Sequence, residues 1–343
     1  MDKLNIKAIY YAILAAVFYA LNMPASKTLL ENVPPTMMAA LLYIGAGIGI
    51  GAIYMVDRGD NTNGKLEKND LPFVLGMIVL DILAPVLLMF GLSHTTSANA
   101  SLLNNFEIVA TSLIALVVFK ETVSKRLWFA IALITLSSGI LSFEDMSSMK
   151  FSWGSLLVLA AALCWGFENN CTRKISSKNT FEIVMLKGIF SGTGSLIIGF
   201  AIGERLPELR YCLIVLAVGF VAYGLSILFY VKAQCVLGAA KTSAYYAIAP
   251  FVGAFLSFIC LHEPLTKRYL LALIIMLTGT AVVVADTIIL HHTHLHTHTI
   301  VHTHDGTTHS HTITHSHEHT HFGHQEQHHH THDTLQPKSD ENV

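Results

Sequence analysis

Four ionisable side chains fall inside strongly apolar stretches, where a charge is costly and usually marks a pathway rather than packing. Asp81 lies between Val79 and Pro85, near the centre of one apolar run. Glu107 is similarly central in the next run, close to Asn104 and Asn105. Glu168 follows Trp165 and precedes Asn169 and Asn170. Such carboxylates can carry a coupling proton or bind an amine-bearing substrate. An interhelical hydrogen bond is the plainer reading, and for Glu168 so is a place near a helix end. Lys187, about two turns into its run, can pair with one of these carboxylates, bind a substrate anion, or snorkel to the surface.

A second chemistry sits at the C-terminus, where eighteen of the twenty histidines lie between His291 and His332. Many alternate with Thr or Ser. The metal-ligand candidates are His292, His294, His296, His298, His302, His304, His315, His317, His319, His321, His328, His329 and His330. Neutral imidazole is a good ligand for Zn, Ni, Co and Cu. A segment this polar cannot bury enough surface to fold alone, so composition predicts disorder and exchangeable metal sites. Imidazole also titrates near about pH 6.5, which leaves pH sensing open, and a tolerated low-complexity extension is the bland alternative.

The elements that would position the four charges are membrane helices. The chain is 52% hydrophobic and 13% charged, against roughly 25% charged in a soluble domain. A bilayer core needs about 20 mostly apolar residues per helix. Read that way, spans fall at 7–25, 34–56, 71–93, 97–119, 127–144, 154–172, 181–203, 211–232, 242–261 and 269–288. The fold class is therefore an all-α membrane protein of ten transmembrane helices. Lys3 and Lys7 precede the first run, but no small-residue cleavage site ends it, which favours a first transmembrane helix over a signal peptide. With the N-terminus inside, fourteen Lys and Arg lie on the cytoplasmic side and six opposite, which places both termini in the cytoplasm of a multi-pass cell-membrane protein.

Several classes are disfavoured. A formal charge of −2 suggests no nucleic-acid partner. No HExxH, Walker or nucleophile-elbow pattern occurs, so no enzyme is expected and no cofactor is required. The five cysteines show no CxxC spacing and read as small core residues. Glycine runs from Gly45 to Gly51 and from Gly188 to Gly192 suit close helix packing.

The two halves match. Lys120-Glu121 through Lys125-Arg126 recurs as His262-Glu263 through Lys267-Arg268, and Ser124 and Thr266 precede the basic pairs as N-cap candidates. Near the start of each half, Ala15 through Lys27 aligns with Ala161 through Arg173. Tyr19 and Trp165 then occupy matching positions, as do Asn104 and Tyr246. Aromatic and amide groups facing a central cavity would suit a polar organic substrate, although packing explains any single one. Five helices per copy make the repeat inverted, giving residues 1–146 and 147–288 as halves and 289–343 as a tail.

The stretch from Gly91 to Leu103, followed after a span by Phe119-Lys120-Glu121, resembles the drug/metabolite transporter superfamily and its EamA-like members. Ala233 through Pro250 to Glu263 is similar to the second occurrence of that signature. Ile108 stands where the family often has Pro, which Pro250 keeps. A basic residue frequent in the second helix is replaced near Leu42, and Lys187 is its counterpart in the seventh. The resemblance implies a secondary transporter exporting a small polar metabolite such as an amino acid. Its partners are the lipid bilayer and a small-molecule substrate. The alternatives are a transition-metal transporter fed by the tail, or a membrane metal sensor.

Overall fold

The computed structural model describes residues 3–56, 64, 66–119, 125–145, 150–175, 178–237, 242, 245–304 and 307–322. The chain forms two compact units, Met1–Asp286 and Thr287–Val343.

The first unit is nearly all helix. In chain order come α1 (Lys3–Ala20), α2 (Asn22–Leu29) and α3 (Pro35–Val56). A 3-10 turn at Lys68–Asp70 leads into α4 (Leu71–Ser93), followed by α5 (Ser97–Leu103), α6 (Phe106–Phe119) and α7 (Lys125–Ser142). Short strands β1 (Phe143–Asp145) and β2 (Lys150–Phe151) pair before α8 (Trp153–Ile175). α9 (Thr180–Leu186) runs through a π-helical turn, Lys187–Ser191, into α10 (Gly192–Ala201). α11 (Leu209–Gly219) does the same through Phe220–Leu225 into α12 (Ser226–Leu237), and α13 (Ala249–Leu261) and α14 (Lys267–Ile288) complete the unit.

Among the described residues, seven helical stretches are long and apolar enough to cross a membrane. They correspond to seven of the segments expected from sequence. The other three, 97–119, 154–172 and 242–261, depart for a physical reason. The first is broken at Asn104-Asn105, between α5 and α6. The third is broken at Ala247-Ile248, just before α13. The second is continuous as α8 but carries Glu168, Asn169 and Asn170. The first and third thus fall short in helix length, and the second, long enough, falls short in hydropathy through its polar residues.

Local sequence explains several helix starts. The Thr96 side chain accepts from the Asn99 N–H to cap α5, and Asn179 accepts from Phe181 and Glu182 to cap α9. Thr266 Oγ1 accepts from Tyr269 N–H at 3.1 Å as α14 begins, while its repeat partner Ser124 lies outside the described residues. Glutamates from elsewhere in the chain finish two further caps. Glu263 accepts from Ser97 and Ala98 N–H at 2.6 and 2.9 Å, and Glu204 from Thr36 and Met37 N–H at 3.2 and 2.9 Å. A carboxylate at a helix N-terminus satisfies unpaired donors and meets the positive end of the dipole. Lys27 performs the opposite service, donating to the Leu92 and Thr95 carbonyls near the end of α4, each at 2.7 Å. The Glu263, Glu204 and Lys27 contacts lie at the end of the bundle where α3 and α5 begin and α4 ends.

At the other end Lys178 pairs with Glu67 at 2.9 Å and Asp70 at 3.4 Å. The hydrogen bond to Glu67 and both negative charges hold the ammonium above the usual lysine range, so it stays charged at neutral pH. In the middle of the bundle α3 lies almost backbone to backbone on the π-helical turn. A Cβ on Gly188 would come 2.3 Å from Gly47 N, so this approach requires glycine.

The second unit holds two strands. β3 (Ile289–His304) pairs antiparallel with β4 (Thr307–Phe322) along its whole length. Alternation of His with Thr has period two and supplies β-branched residues, and Asp305-Gly306 between the strands is a dipeptide that two-residue hairpin turns favour. His328, His329 and His330 lie outside the described residues.

Candidate functional site

Three helices and a π-helical turn converge on one buried ion group. Asp81 comes from the middle of α4, and Glu168 from α8, which packs along α4. Lys187 is the first residue of the π-helical turn after α9. Its ammonium lies 2.5 Å from Glu168 Oε1 and 3.4 Å from Asp81 Oδ2. All three are buried, with 1% of Asp81, 3% of Glu168 and 9% of Lys187 exposed. Lys187 therefore pairs inward and does not snorkel. Tyr43 on α3 donates its hydroxyl to Asp81 Oδ1 at 2.9 Å, and Thr172 donates to Glu168 one turn along α8. The close approach at Gly188 seats Tyr43 and Lys187 against the same carboxylates.

A second carboxylate group adjoins the first. Asn169, the neighbour of Glu168 in α8, donates to Glu107 at 2.6 Å. Two carboxylates, Asp81 and Glu168, thus face the one Lys187 ammonium, with Glu107 beside them. In an apolar interior such an imbalance calls for a proton or a bound cation.

Aromatic rings join the charged layer to the interrupted helix. Tyr223, in the second π-helical turn, packs on Tyr43 with centroids 5.2 Å apart and on Tyr19 at 5.8 Å. Its hydroxyl accepts from Asn22, which sits just past the break between α1 and α2. Tyr19 accepts from Asn104 at 3.0 Å and lies 6.0 Å from Tyr246, ring to ring. Ser226 lies 3.4 Å from the Tyr246 hydroxyl. Trp165 is buried in the core cluster that also holds Tyr43 and Tyr223.

The structure thus brings Asp81, Glu107, Glu168, Lys187, Asn104, Tyr19, Trp165 and Tyr246 into one neighbourhood. Sequence reasoning missed Tyr43, Thr172, Tyr223 and Asn22, which complete it. Three buried polar atoms at or near the break have no hydrogen-bond partner among the described residues: Ser101 Oγ, Asn104 Oδ1 and Asn105 Nδ2. Buried polar atoms are rarely left unpaired in a packed interior. Among the residues searched, no three His, Cys, Asp or Glu side chains are grouped closely enough to hold a metal ion. A separate groove along α7, lined by Trp128, Ile131, Thr135, Leu136 and Gly139, is almost wholly apolar and lacks this chemistry.

The model of the EamA-like transporter family matches residues 6–143 and again 152–285. The chain belongs to this family. The two matches lie in tandem along the EamA-like chain. It is 28% identical over 289 residues to an uncharacterized transporter of Methanothermobacter thermautotrophicus, covering 78% of this chain and 83% of that one. It is 23% identical over 270 residues to the uncharacterized transporter YyaM of Bacillus subtilis, covering 75% and 87%. A crystal structure titled only as that of a protein shares the fold at TM-score 0.62 with 14% identity, covering 82% of this chain and 99% of its own. The EamA-like chain is accordingly a multi-pass membrane protein of a transporter family.

Proposed function

We propose that this protein is a secondary transporter that exports a small polar metabolite, an amino acid by class, through alternating access. Ten helices in two five-helix halves of opposite orientation would rock about the central polar layer. The breaks at Asn104-Asn105 and Ala247-Ile248 fall within one residue of equivalent repeat positions, which supports a site between the halves.

The observation that carries this reading is Lys187 buried between Glu168 and Asp81. A zwitterionic substrate needs a cation for its carboxylate and an anion for its ammonium, and this layer offers both. The tyrosines beside it offer apolar faces for a side chain and hydroxyls for its polar end. Proton and substrate ammonium compete for the same excess carboxylates. That competition makes exchange of one for the other the natural coupling, with Asp81 the first candidate and Glu107 the second.

The test is uptake into liposomes containing the full-length protein, with amino acids screened beside Zn, Ni and Co. Saturable amino-acid flux that dissipates a pH gradient is expected. Saturable metal flux without amino-acid flux would overturn the reading.

The histidine-rich unit favours a second reading, in which a transition metal is cargo or signal. Deleting residues 289–343 separates the two roles. Loss of metal flux makes the histidines a delivery route, while unchanged metabolite flux makes them accessory.

A further inference from the structure

A helical carbonyl accepts from the N–H four residues further on, and proline has none to give. Pro24 stands four residues after Ala20, the last residue of α1. Pro250 stands four residues after Tyr246, directly before the Ala247-Ile248 break. The Ala20 and Tyr246 carbonyls therefore lack their regular helical donors.

The break between α5 and α6 adds further acceptors. Ser101 and Asn104 are three residues apart, a spacing that puts side chains on one helix face. Both are buried, and Ser101 Oγ and Asn104 Oδ1 have no partner among the described residues. Glu107, three residues on again, gives its N–H to the Asn104 carbonyl at 3.1 Å. A hydroxyl, an amide oxygen and a carboxylate thus follow one another across the break. Asn105 Nδ2 is a free donor, but adjacent helical residues project about 100° apart, which takes it off this stripe.

Three elements meet here. A Cβ on Gly253 of α13 would lie 2.9 Å from Ser101 Oγ and 3.4 Å from the Ala20 carbonyl oxygen. Tyr19, beside Ala20, accepts from Asn104 Nδ2 at 3.0 Å, so the amide nitrogen is held and its oxygen is left over. Aromatic faces adjoin the acceptors. The Tyr19 ring lies 6.0 Å from that of Tyr246, which meets Tyr230 edge-on at 5.1 Å. The end of α1 also carries the negative pole of its backbone dipoles. Surplus acceptors, a carboxylate and aromatic faces together suit a donor that bears positive charge.

We propose that this junction is a subsite for a second protonated amine, which makes the substrate a diamino acid. The inference rests on the amino-acid reading above. The layer of Lys187, Glu168 and Asp81 takes the α-carboxylate and α-ammonium. The junction of Ala20, Ser101, Asn104 and Glu107 takes the ammonium at the end of the side chain.

Lysine and norleucine test it, because norleucine is lysine without the terminal ammonium. Each is titrated calorimetrically into full-length protein in detergent. A hydrogen bond to a charged group is worth about tenfold or more in affinity. With several acceptors at the junction, lysine should bind at least about a hundredfold more tightly than norleucine. Ser101→Ala removes a hydroxyl that holds no partner among the described residues, and should cut this preference about tenfold. Ser195→Ala removes another buried hydroxyl without a partner, on α10, which packs on α3 and α4, and should leave the preference intact. Equal affinities for lysine and norleucine would overturn the subsite and leave the amino-acid reading standing. So would an unchanged preference in Ser101→Ala, or an equal loss in Ser195→Ala. Binding of neither compound would overturn both.

Discussion

Lys187 pairs with Glu168 at 2.5 Å, from a π-helical turn on one helix to the inner face of another. π-helical turns often mark functional sites because the extra residue re-aims a side chain. Removing the cation leaves Glu168 and Asp81 buried together without compensation. Lys187→Met should therefore lower stability in detergent by about 3–5 kcal/mol, the usual cost of breaking one side of a buried pair. Adding Glu168→Gln should recover part of that loss, read as a partial return of the unfolding midpoint. Equal midpoints for the single and double variants would show that the pair is not coupled.

Asp81→Asn separates binding from coupling. Its amide oxygen can still accept from Tyr43, so the layer stays closed on that side. The side chain can no longer exchange a proton. Substrate exchange across the liposome membrane should survive, while accumulation driven by a pH gradient should fall to equilibration. A protein that keeps full gradient-driven accumulation would remove Asp81 from the coupling role and move it to Glu107.

How far the sequence revealed this site depends on how each residue announces itself. Asp81, Glu107, Glu168 and Lys187 are legible because a charge in an apolar run has a large cost and few innocent explanations. Tyr43, Tyr223 and Asn22 carry no such cost at that depth, and nothing local distinguishes them from packing residues. The inward pairing of Lys187 was not decidable, because two turns of helix are also a snorkelling distance. Break and bulge positions were hidden for a related reason. Asn104-Asn105 lies within a run whose length and hydropathy read as one continuous span, and π-helical turns have no sequence signature at Lys187 or Phe220.

Gly188 and Gly139 make a matched pair of glycine tests. A Cβ on Gly188 would meet Gly47 backbone at 2.3 Å, whereas one on Gly139 would meet nothing within 4 Å. Gly188→Ala should cost about 1–3 kcal/mol through overpacking and should displace Lys187, its neighbour in the chain. Gly139→Ala should be neutral or stabilising by up to about 1 kcal/mol through helix propensity. Thermal unfolding in detergent checks both, and transport by the Gly188 variant should fall with its stability.

Glu263 ties the loop before α14 to the first turn of α5, with both carboxylate oxygens engaged by backbone N–H groups. Its partners lie 166 and 165 residues away in the chain. A clamp between the two halves must open if that end of the bundle opens during transport. Glu263→Gln keeps one acceptor oxygen and loses the charge that favours a helix N-terminus, a change of about 1–3 kcal/mol. The closed arrangement at this end should lose population accordingly. Ser97→Cys, in a Cys260→Ser background, reports it, since Ser97 is fully buried beneath the clamp. A membrane-impermeant thiol reagent should label that cysteine faster when Glu263→Gln is added, and Glu204→Gln should act in the same direction through the start of α3. Unchanged labelling in both variants would mean the carboxylates are static caps and that opening happens elsewhere.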